Sequence, residues 1–209
     1  MDDQLRADIE GMTRAHDELV RRLAQVGDDV VSRPSRLPGW SIGHVLCHIA
    51  RNGESVARRL EAAGRAELVD QYPGGAEGRA AAIEAGAARP TGEQVADIVA
   101  VGERTEAAIA VLTDEGWDQV ARAVDGTLRP ARTLPAARWR EIEVHHVDLG
   151  LGYEPGDWPT AFVERALPDA LASVGRRLPG LDDVAPSHIL GWAYGRSVPP
   201  DGLPDLQPY

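Results

Sequence analysis

Residues 3–26 carry Leu5, Ile9, Met12, Leu19, Leu23 and Val26 at helical steps, which predicts a first long helix with one apolar stripe. The segment "GDDVVSRPSRLPGW" interrupts it with Gly and Pro. Ser41 then stands at an N-cap position ahead of Ile42, Val45, Leu46, Ile49, Val56 and Leu60, predicting a second helix to about Ala63. Residues 64–90 are Gly- and Ala-rich with weak periodicity and read as a long loop with a short helix in it. Thr91 and Gln94 have the spacing of a capping box for a third helix, whose apolar positions include Val95, Ile98, Val99, Ile109 and Leu112. A short hairpin is expected at Asp125-Gly126. Thr133 and Pro135 open a fourth helix that Gly150 or Gly152 ends.

Four long amphipathic helices with no strand-like run between them predict an all-α bundle. Residues 1–152 are assigned to it. Residues 153–209 differ: they are Pro-rich, with one helix expected at about 160–177 and a shorter one at about 187–195. They are read as a short, mainly helical C-terminal extension.

Composition narrows the function. The net charge of −11 offers no basic face for neutralising phosphates, so nucleic acid is not an expected partner. Every basic residue is Arg, and the absence of Lys excludes Schiff-base chemistry. With one cysteine, Cys47, no internal disulfide can form; with no signal-like start and no apolar run long enough for a bilayer, a cytoplasmic protein without membrane contact is expected.

The segment "WREIEVHHVDLG" (139–150) concentrates potential ligands. At about 100° per residue, Glu141, His145 and Asp148 fall within roughly 60° of one another, on the side of the fourth helix expected to face the bundle. Glu143 and His146 point away and read as solvated or as supporting residues behind the site. In "SIGHVLCHIARNGES", His44 and His48 are four apart on helix two, with Arg51 and Asn52 on the same side. His48 lies nearer the apolar stripe. Buried carboxylates and imidazoles are costly without partners, and a divalent ion satisfies both types. On spacing alone the pattern fits a metal site and a polar helix face equally. Cys47 projects about 100° away from His48 and reads as a small buried hydrophobe. "GLGYEPG" follows a helix and not a strand, which removes a dinucleotide reading.

"LPGWSIGHVLCHIARN" together with "WREIEVHHVDLGLGY" resembles the two signature segments of the mycothiol-dependent maleylpyruvate isomerase family, a branch of the DinB-like four-helix metalloenzymes. "ILGWAYGR" resembles that family's closing element. The resemblance implies a zinc ion held by His48, Glu141 and His145, and mycothiol as the thiol cofactor. Its thiolate would attack a small anionic or electrophilic substrate, giving cis–trans isomerisation of a maleylpyruvate-like compound or thiol S-transfer. A metal or thiol sensor and a zinc hydrolase are the competing readings. Arg196 is the position the resemblance favours for a catalytic contact with an anionic substrate. Arg51 and Asn52 are the expected cofactor-binding residues, and Asp148 is read as orienting a ligand imidazole. The family's C-terminal unit usually holds strands; the stretch between "SVGRRLPG" and "SHILGWAYGR" is too short for them, so a shortened segment is expected.

Overall fold

The structure, a computed structural model, describes residues 1–27, 29–174, 181, 184–200 and 203–207. Its frame is four helices: α1 (Asp3–Leu23), α2 (Ile42–Gly64), α4 (Thr91–Ala110) and α6 (Leu134–Asp148). Between α2 and α4 lies α3 (Gly75–Gly86). Between α4 and α6 lie the short α5 (Asp114–Asp118) and a hairpin of β1 (Val120–Arg122) and β2 (Leu128–Pro130). The hairpin is antiparallel, with Ala121 opposite Arg129, and turns where expected, at Gly126 with φ +85°.

Local chemistry explains most boundaries. Ser41 caps α2 by accepting the His44 N–H, while His44 Nδ1 accepts the Ser41 N–H in return. Pro135 sits in the first turn of α6, where its missing N–H costs nothing, and Gly150 follows its end at φ +67°. The start of α4 differs from expectation. Its cap position falls on Pro90, and Gln94 turns inward to donate to the carbonyls of Ala87 and Arg89, so no capping box forms.

Helix α2 packs against α4 and α6, and α1 against α6 and α4. Leu19, Val45, Leu46, Ile49 and Ile98 meet in the core with no exposed surface. Each such side chain stabilises the fold by about 1.5–3 kcal/mol. Helices α1 and α6 approach closely at Gly11, where a Cβ would lie 2.4 Å from the Trp139 ring. After α6 come α7 (Thr160–Val174) and α8 (Pro186–Ala193), packed on one another. The expected end of the first of these at about 177 lies outside the described residues, as does much of "SVGRRLPG". Among the described residues no helix is long and apolar enough to cross a membrane.

Solvent exposure, one of the two readings of the outward residues of α6, is overturned. Glu143 and His146 are buried, at 1% and 3% exposure. Residues beyond α6 close over that face: Tyr153 stacks on His146 and donates to Glu143 Oε2, and Trp158 donates to the Glu143 carbonyl. Burial pushes the Glu143 carboxyl above its usual range, and burial pushes the His146 imidazole down to about 4, which keeps that ring uncharged. The helix is buried on opposite sides.

Candidate metal centre

Helix α2 brings His48 to its inner face, and α6 places Glu141 and His145 one turn apart on the facing side. His48 Nε2 lies 2.9 Å from His145 Nε2 and 3.1 Å from Glu141 Oε2, with the third edge at 3.5 Å. A tetrahedral ion with N and O ligands at about 2.0–2.1 Å spaces its ligand atoms about 3.3–3.4 Å apart. The observed edges bracket that spacing. Without an ion the two imidazole nitrogens at 2.9 Å share one proton, and a cation could take that proton's place between them.

Electrostatics point the same way. Burial raises the Glu141 carboxyl, but hydrogen bonds with His145 and His48 outweigh it and hold the group ionised, well below its usual range. Burial lowers His48 to about 4, keeping a neutral imidazole. His145 is lowered by burial and raised more by Asp148 and Glu141. His145 Nδ1 lies 2.8 Å from Asp148 Oδ2. With Nδ1–H donated to that carboxylate, Nε2 is turned toward His48 and Glu141, the nitrogen that would ligate an ion once its proton leaves.

The remaining side of the three donors opens into a cleft of about 450 Å³, walled by Leu37, Pro38, Trp40 and Arg79. Arg79 is a residue that sequence reasoning missed. It lies four residues before the buried Ile83 on α3, so both share the face turned to α2, and that spacing is the signal that marks it. Its Nη2 lies 3.1 Å from His48 Nδ1.

The other expected site residues fall elsewhere. Arg196 Nε and Nη2 donate to the two carboxylate oxygens of Asp148 at 3.0 and 2.8 Å, and its Nη1 donates to the Tyr194 carbonyl. The Arg196 side chain is 2% exposed. It therefore meets Asp148 where a substrate contact was expected, because Asp148, buried behind His145, needs a cation to compensate it. Arg51 pairs with Asp97 and Glu54 and does not line the cleft. Asn52 is buried and accepts from Arg138 Nη1 at 2.9 Å. His44 is engaged by Ser41 and by Glu84 on α3, away from the centre.

The Cys47 thiol faces α3, 3.6 Å from the Ala82 carbonyl, and burial raises its pKa. Cys47→Ala is expected to leave the capacity to bind a divalent metal unchanged by elemental analysis after metal loading. Loss of that capacity with the helical spectrum intact would contradict this placement.

The profile of the mycothiol maleylpyruvate isomerase N-terminal domain matches residues 12–150. No curated protein sequence matches the chain. Among solved structures, the crystal structure of the mycothiol-dependent maleylpyruvate isomerase superposes with a TM-score of 0.86 at 20% identity, covering 98% of this chain and 97% of that one. A histidine-to-alanine mutant of that enzyme superposes at 0.82 with 20% identity, covering 92% and 90%. These likenesses establish a shared fold.

Proposed function

Because the chain belongs to the mycothiol maleylpyruvate isomerase N-terminal domain family, we propose that it is a zinc- and mycothiol-dependent enzyme acting on a small electrophile. The reaction is cis–trans isomerisation of a maleylpyruvate-like compound or transfer of the thiol to an acceptor. The observation that carries this reading is a His-Glu-His donor set, its imidazoles buried and its carboxylate half-buried, with one side open to a cleft. A structural zinc site is closed by a fourth protein ligand, whereas a catalytic one keeps a position free.

His48, Glu141 and His145 would hold the zinc ion, which would supply Lewis acidity to lower the pKa of a thiol toward neutrality. The protein's own groups prepare that position. Asp148 fixes the His145 tautomer, Arg196 holds Asp148, and Leu37, Pro38 and Trp40 give the open side a largely apolar wall. Asp148 is committed to His145 and Arg196, which leaves it unsuited to activating a water and disfavours a hydrolase.

Arg79 bears on metal loading. When His48 Nε2 ligates as a neutral imidazole, its Nδ1 carries the proton, and a guanidinium N–H can no longer donate to it. Arg79→Met is therefore expected to tighten zinc binding by about 10-fold, or 1.4 kcal/mol, measured by competition with a chromophoric chelator. Unchanged affinity would show that Arg79 does not compete with the ion.

The function is tested by incubating the zinc-loaded protein with mycothiol and a panel of electrophiles, maleylpyruvate included, and analysing products by mass spectrometry and chromatography. A geometric isomer of unchanged mass marks an isomerase, and a thiol adduct a transferase. Absence of both across the panel, with zinc bound, would refute the proposal.

A further inference from the structure

Most arginines of this acidic chain pair with carboxylates, as Arg104 does with Glu61 and Arg132 with Asp118. Arg59, Arg129, Arg138 and Arg140 do not, among the described residues, and they line one cleft of about 160 Å³. Glu141 forms part of its wall, so the cleft lies against the metal centre from the side of the hairpin, apart from the mouth at Trp40.

The two inner arginines are buried on neutral partners. Arg59 Nε and Nη2 donate to the Ser55 carbonyl and hydroxyl, and Nη1 to the Arg122 carbonyl. Arg138 Nη1 donates to the Ile49 carbonyl and Asn52 Oδ1, and its buried Nη2 has no hydrogen-bond partner. Burial lowers both guanidiniums to about 10. Arg129 on β2 and Arg140 on α6 are exposed, with no hydrogen bond or ion pair among the described residues, and also border a neighbouring cleft of about 460 Å³. Glu141 is the carboxylate whose field acts on both buried arginines. In the function proposed above, on which this step rests, that charge is shared with the ion. The guanidiniums then face the cleft without a counter-charge, a costly arrangement unless an anion enters.

We propose that this cleft is an anion-binding subsite for a small carboxylate ligand, with Arg129 and Arg140 as its gripping groups and Arg59 and Arg138 as its fixed positive floor. A carboxylate-bearing electrophile held there approaches the centre from the Glu141 side, leaving the Trp40 side to the thiol. Exposed arginines are suited to gripping because a guanidinium pairs both oxygens of a carboxylate.

The probe is succinate, titrated calorimetrically into the zinc-loaded full-length protein, with succinamide as the neutral control and zinc content measured on every sample. Succinate is expected to bind with a submillimolar Kd and succinamide not at all. The Arg129→Ala/Arg140→Ala double variant should bind succinate at least 10-fold more weakly at unchanged zinc content. Succinate failing to bind, succinamide binding equally well, or undiminished succinate binding in the double variant would overturn the subsite. A protein that holds no zinc would instead count against the metal reading. Repeating the titration on that zinc-free protein, where the Arg-dependent succinate binding is expected to persist more weakly, keeps the two failures distinct.

Discussion

His145→Ala is expected to empty the metal centre while leaving the fold intact. The substitution removes one of three donors and the imidazole through which Asp148 would act on an ion. Loss of partners one step removed from a metal costs about 10–100-fold in affinity, and loss of a ligand itself should exceed that range. The fold survives because Asp148 keeps both hydrogen bonds to Arg196, so no buried charge is stranded. Elemental analysis after dialysis should find less than a tenth of the wild-type zinc, beside an unchanged far-ultraviolet spectrum. Full zinc retention in His145→Ala, or zinc lost in His44→Ala and kept in His48→Ala, would mean that the ion sits elsewhere.

Arg196→Ala is expected to have the largest effect on stability. The guanidinium is the cation that compensates Asp148, whose own side chain is 1% exposed. Hydrogen bonds to His145 and Arg196 overcome burial and keep that carboxyl below its usual pKa. Removing one partner of a buried pair costs about 3–5 kcal/mol, chiefly for the charge left behind. Urea unfolding of the metal-free protein should show that loss, and zinc affinity should fall with it because His145 loses its oriented partner. The double variant Arg196→Ala/Asp148→Asn discriminates between causes: with the stranded charge gone it should recover part of the stability. An Arg196→Ala protein within about 0.5 kcal/mol of wild type would show that the pair contributes little.

The parts of this architecture legible in the sequence are those written in local chemistry. Ser41, Thr133-Leu134-Pro135 and Gly150 mark helix ends within a residue or two, and the four-residue spacing of Glu141 and His145 places both on one face. What escaped depends on contacts distant along the chain. A helical wheel of α6 cannot show that Tyr153 and Trp158 return to bury Glu143 and His146. Asp148 and Arg196 are each conspicuous, yet their pairing spans 48 positions and exists only because the C-terminal segment folds back. Helix α3 was obscured by composition: in "GAEGRAAAIEAG" only Ile83 supplies a large apolar anchor, so Arg79 looked like a loop residue. The capping box at Thr91 failed because Pro90 occupies the cap and Gln94 had a better use inside.

In the proposed function, the open side of the His48–Glu141–His145 centre activates a thiol. Proton release on mixing the zinc-loaded protein with mycothiol in weak buffer at neutral pH measures it directly. The account predicts one proton released per zinc-loaded chain, saturable in mycothiol and absent from His145→Ala. Mycothiol that binds without releasing a proton, or an identical release from the zinc-free protein, would contradict it.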